Sequence, residues 1–140
     1  MRSHETVVDI EAPVRRVWQV TADVASWPGW SPTMDEVTPL AAGPVRVGSE
    51  VRVRQPKLRP AVWTVLELAE DAAFVWRTGG RGYEIVAGHY LTTEGAATTV
   101  RLTVAMSGML APALWPLTGA TVRRYVEQEA AALKAHCEAG

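Results

Sequence analysis

The chain has 140 residues, 48% hydrophobic and 21% charged, with a formal net charge of −1. This length predicts one domain spanning residues 1–140, with a core that needs no metal or disulfide support. Fourteen basic against fifteen acidic residues remove the usual electrostatic reason to expect nucleic acid, and the apolar content excludes intrinsic disorder.

Cys137 is the single cysteine, so neither an intrachain disulfide nor a cysteine-rich zinc site is expected. The first ten residues include Arg2, His4, Glu5 and Asp9 and lack the apolar core of a signal peptide. The most apolar stretch, Met106 to Ala120, is interrupted by Pro112 and Pro116. It falls short of the ~20 residues of a membrane span. No span is expected, and the expected location is cytoplasmic.

The β-branched run Glu5 to Ile10 reads as a first strand. Pro13 suits the first turn of a helix, where its missing N–H costs nothing. Val14, Val17, Trp18 and Thr21 make one buried stripe, while Arg15, Arg16 and Gln19 face water. The helix is expected to end between Asp23 and Trp27, before Pro28 and Gly29. From Met34 to Ser107 strands and turns follow. Arg46 to Ser49 reads as a turn, and Val51 and Val53 alternate with Glu50, Arg52 and Arg54 in a strand whose charged set faces water. Ala61–Leu68, Ala73–Arg77, Tyr83–Thr92 and Thr98–Met106 are four further strands. Their separating turns carry Glu70-Asp71, Gly79 to Gly82, and Glu94-Gly95. From about Ala113 the period becomes helical, with Leu114, Thr118, Val122, Tyr125, Glu129 and Leu133 on one stripe, ending near Gly140. Strands covered on one side by helices make an α+β architecture with space for a cavity.

Ile10-Glu11-Ala12-Pro13, Val17-Trp18, Asp23 and Trp27 to Pro32 resemble the opening of the polyketide cyclase/dehydrase-like branch of the START-related (SRPBCC) superfamily. Val47-Gly48, Val62 to Val65, Phe74 to Arg77, Gly88 to Leu91 and Leu133-Lys134 extend the resemblance along essentially the whole chain. It implies a helix-grip fold: a curved seven-stranded antiparallel sheet wrapped around a long C-terminal helix, with a short N-terminal helical segment and a deep hydrophobic cavity. It also implies a lipid-like or aromatic polyketide-like ligand, with catalysis in a minority of members.

Six tryptophans accompany a single phenylalanine, and tryptophan suits a pocket wall as well as a core. Trp18, on the helix stripe, is assigned to packing. Trp27 and Trp30 lie in an expected loop and are candidate ligand contacts. Trp63 and Trp76 are strand candidates whose facing alternation leaves open, and Trp115, entering the long helix, is a candidate lid. His89 shares parity with Ile85, Ala87 and Leu91, so an inward apolar set carries an imidazole into the cavity. It is a candidate acid/base or anchoring group; a satisfied core histidine is the competing role. Tyr90 faces the opposite way. Leu91, Met106 and Tyr125 complete the candidate lining, and Arg77 and Glu84 are placed to pair.

Other chemistry finds no support. His4, His89 and His136 are too scattered for a metal site, so no metal or cofactor is expected. Gly79 to Gly82 lacks the lysine of a phosphate loop, no GxSxG elbow occurs, and Cys137 has no local group to activate it. The expected function is binding of a small hydrophobic ligand in an internal cavity. The alternative is a polyketide cyclase or dehydratase using His89 as acid/base with Tyr125 as a hydrogen-bond donor. A protein-interaction module, with an exposed apolar patch in place of a void, is a third reading. Monomer and homodimer are both open.

Overall fold

The computed structural model describes residues 2–139; Met1 and Gly140, the expected helix end, lie outside the described residues. Strand β1 (Ser3–Ile10) leads into helix α1 (Val14–Ala22) and a 3-10 helix (Val24–Gly29). Strands β2 (Glu36–Pro39), β3 (Glu50–Arg54), β4 (Ala61–Ala69), β5 (Ala73–Gly80), β6 (Tyr83–Glu94) and β7 (Ala97–Ser107) follow, then α2 (Ala111–Ala139). They form one antiparallel seven-stranded sheet in the order β1-β7-β6-β5-β4-β3-β2. The helix-grip architecture expected from the resemblance is the one observed.

Three local features depart from the sequence reading. Trp27 and Pro28 belong to the 3-10 helix rather than to an open loop. Pro28 suits this short helix because its φ is preset. Glu36–Pro39, too short for a clear alternation, pairs with β3 through Val37 opposite Val53. The terminal helix begins at Ala111, earlier than the periodicity suggests. The amides of Ala113 and Leu114 both donate to the Leu110 carbonyl, and Pro112 sits in the first turn, where it loses no bond.

The inner face follows period two with one interruption. A β-bulge between Val65 and Glu67 places both Leu66 and Glu67 on the exposed side of β4. Strict alternation from Val65 would have turned Glu67 inward, and the extra residue prevents that. Ile10, Val17, Val24, Trp27, Phe74, Val100 and Leu133 form the driest part of the core, all nearly fully buried. Thr98 closes this end by donating its hydroxyl to the Ala12 carbonyl at 2.8 Å. Leu133 and Cys137 bring the second half of α2 onto the same cluster, so one end of the grip is filled. The remaining space lies under the middle of α2.

Candidate functional site

Strands β5 and β6 supply the floor. Phe74 on β5 lies directly opposite His89 on β6, and His89 in turn opposite Leu102 on β7. The parity expected for His89 is therefore correct: Ile85, Ala87 and His89 all reach one cavity of about 110 Å³. Tyr90 takes the outer face, where Arg101 stacks on its ring at 4.6 Å.

Aromatic rings enclose the imidazole. Trp27 lies 5.5 Å from the His89 ring and Phe74 packs edge-on at 6.1 Å. Trp76 contacts Trp27 at 5.2 Å, and Trp63 lies 5.2 Å beyond it. Trp27 is held in place because its indole N–H donates to the Thr21 carbonyl at 3.2 Å, which ties the 3-10 helix to the end of α1. Trp27, Trp63 and Trp76 all line the cavity. Across from them α2 contributes Val122, Tyr125, Val126 and Glu129. The β3–β4 loop adds Gln55 and Leu58, and the Tyr125 hydroxyl donates to the Pro56 carbonyl of that loop.

Glu129 is the residue that sequence reasoning passed over. His89 Nε2 and Glu129 Oε2 are 2.5 Å apart, with side chains only 6% and 12% exposed. A buried carboxylate is tolerated only when paired and hydrogen-bonded, and the imidazole supplies that pairing. The signal was present: Glu129 is a charged residue on the stripe that also carries Tyr125 and Leu133. Its partner stands 40 residues away in sequence. His89 Nδ1 is buried and has no hydrogen-bond partner among the described residues. Since a neutral imidazole has one donor and one acceptor nitrogen, donation from Nε2 to Glu129 leaves a lone pair on Nδ1.

Four expected ligand contacts lie elsewhere. Trp30 is turned away from the cavity and stacks on His136 at 5.9 Å, beside Arg16 and Val20. It caps the 3-10 helix, with its ring 6.1 Å from that of Trp27. Trp115 lies against its own helix, over Gly119 and beneath the Arg123 guanidinium at 5.6 Å, and is not among the residues that line the cavity. Leu91 has the inward parity but sits in the filled end of the core. Met106 is buried opposite Ile85, and its amide donates to Arg2. It lies beyond Val104, which does reach the cavity.

The remaining ionisable groups do other work. Arg77 and Glu84 pair at 2.7 Å, as expected. Glu50, Arg52 and Arg54 face outward. Burial pushes the Cys137 thiol up to about 11 against a weaker opposing effect of Arg16, consistent with an unreactive packing role. No group of three or more metal-ligating side chains occurs among the described residues.

A seven-stranded grip around a long C-terminal helix, enclosing an aromatic-walled cavity with one buried histidine–carboxylate pair, defines a START-like helix-grip fold. The family model described as polyketide cyclase / dehydrase and lipid transport matches residues 1–138, and the chain belongs to that family. No curated protein matches the chain. Among solved structures, the ZhuI aromatase/cyclase from Streptomyces sp. R1128 superposes with a TM-score of 0.79 at 19% identity, covering 97% of this chain and 93% of that one. A START superfamily protein from Mycobacterium smegmatis gives 0.75 at 17% identity, with 97% of both chains covered. The di-domain ARO/CYC BexL gives 0.74 at 22% identity over 96% of this chain; the match spans 46% of BexL, less than half its length. At these identities the likeness concerns the fold. No described helix is long and apolar enough to cross a membrane.

Proposed function

We propose that this protein holds a small aromatic or polyketide-like compound in the cavity and catalyses proton transfer on it, as a cyclase or dehydratase. The observation that carries this reading is the 2.5 Å contact between His89 and Glu129 on the wall of a mostly apolar cavity. Binding alone requires no such pair, since apolar walls suffice for an apolar ligand.

Glu129 orients the imidazole through Nε2, leaving Nδ1 as the proton acceptor. In a dehydration, Nδ1 takes the proton from the carbon between a carbonyl and a hydroxyl-bearing carbon. The released C–H electron pair forms the new carbon–carbon double bond as the C–O bond breaks. The departing hydroxyl takes the proton back from Nδ1 and leaves as water. The cavity walls hold the reacting carbons in place and keep solvent out.

Size constrains the ligand. A void of about 150 Å³ takes up benzene, so the cavity of about 110 Å³ matches one ring at most without side-chain movement. A ring that carries a chain, such as the aldol adduct used in the test, enters only when Leu58 and its loop move aside.

The test uses the aldol adduct of benzaldehyde and acetone, whose dehydration to a conjugated enone is followed by ultraviolet absorbance. Turnover by the wild type, reduced about a hundredfold or more in His89→Ala, is the expected result. Unchanged turnover in His89→Ala sinks the mechanism. Binding of the adduct without turnover by the wild type leaves the second reading, a ligand-binding protein, which the apolar lining around Trp63 and Trp76 favours.

A further inference from the structure

The start of α2 and the turn before it are exposed and apolar. Met109 is 85% and Leu117 81% exposed, and Leu110 is 44% exposed. Pro112, Ala113, Pro116, Leu117 and Ala120 make up the solvent side of the first turns of α2, without one charged group. Seven residues on, the same side of the helix carries Arg123 and Arg124, because seven residues are nearly two full turns. The ridge thus runs from bare apolar side chains into two adjacent guanidinium groups.

Two further cations flank it. Leu110 packs over Gly82 and its amide donates to the Gly82 carbonyl at 2.8 Å, which sets Arg81 beside the ridge. The Met106 amide donates to the Arg2 carbonyl at 2.8 Å, three residues before Met109. The chain contains no acidic residue between Glu94 and Glu127. Among the described residues Arg2, Arg81, Arg123 and Arg124 pair with no carboxylate. The carboxylates nearest in register are occupied: Glu84 by Arg77, and Glu127 by His4 and Thr6.

We propose that this ridge docks the protein on an anionic lipid surface, with Met109, Leu110 and Leu117 entering the interface and the four arginines meeting the headgroups. Charge complementarity selects this occupant. Apolar side chains backed by unpaired arginines suit the boundary between acyl chains and anionic headgroups. A second copy would set the same arginines against one another across a twofold axis. The inference is independent of the chemistry at His89.

Flotation with vesicles of phosphatidylcholine, with and without phosphatidylglycerol, tests it. Binding is expected only to the anionic vesicles and is expected to weaken with added salt. Leu117→Asp should reduce it about tenfold or more, and Arg123→Gln with Arg124→Gln about 30-fold. Leu66→Asp, at an exposed leucine on β4, should leave it unchanged, as a control for a general loss of apolar surface. No binding to anionic vesicles, or equal binding by Leu117→Asp, overturns the proposal. So does a wild-type dimer in sedimentation that Leu117→Asp dissolves.

Discussion

Tyr125, midway along α2, donates its hydroxyl to the carbonyl of Pro56 in the loop joining β3 to β4. Lys57, the next residue, has φ of 65°, a left-handed conformation that costs a non-glycine residue energy. The loop is thus held across the cavity by one hydrogen bond from the helix, with Leu58 delivered to the lining.

Tyr125→Phe removes that bond and leaves the ring in place. A loss of about 1 kcal/mol is expected, together with faster amide exchange at Lys57 and Leu58. Exchange that is unchanged at those two positions would show that the loop is held by other contacts.

His89 and Glu129 should behave as one unit. His89→Ala strands a buried carboxylate, and breaking such a pair costs about 3–5 kcal/mol. Replacing both by apolar residues, His89→Phe with Glu129→Leu, should cost much less than the sum of the single changes. Chemical denaturation of the wild type, His89→Phe, Glu129→Leu and the double variant measures the coupling. Strict additivity would argue that the two side chains do not sense each other.

Cys137 should resist modification. With its thiol pushed up to about 11 by burial, the thiolate at pH 8 is about a hundredfold scarcer than for an ordinary cysteine. Thiol-disulfide reagents should label the folded protein correspondingly slowly and the denatured protein fast. The same shift predicts falling stability as pH rises above about 9, because the unfolded thiol then releases its proton first.

Acid should loosen α2 at its edges. Hydrogen bonds from His4 hold Glu127 below its ordinary 4.5, and the Glu11 amide with Lys134 does the same for Glu138. A depressed carboxyl stabilises the fold above its unfolded pKa and loses that contribution as pH falls through the folded one. Thermal melts should therefore show stability declining below about pH 4.5, with a shallower decline in Glu138→Gln. Both groups are exposed, so the effect is small and shrinks with salt.

Much of this arrangement is readable from spacing. The order of elements, the inward set Ile85, Ala87 and His89, the α2 stripe and the Arg77–Glu84 pair all follow from periodicity or adjacency along the chain. Trp30 and Trp115 are the counterexamples, because a side chain in a turn or at a helix start has no periodic neighbours to fix its face. Leu91 and Met106 lie outside the cavity for another reason. Their faces are predicted correctly, but facing is a local property, and distance along the grip depends on where α2 crosses the sheet.

Away from β2, the 3-10 helix and the start of α2, the amino-acid sequence by itself determines which residues form strands and helices and which side of each is apolar, since those follow from dihedral preference and burial of one face. The tertiary structure alone decides that Glu129 meets His89. That contact joins the middle of β6 to the second half of α2 across 40 residues, and no local period encodes the crossing of a helix over a sheet. The same crossing fills the end near Leu133 and leaves the space between Trp63, Trp76 and Tyr125 open. Close packing admits side chains only where the sheet and helix approach, and where they diverge a cavity remains.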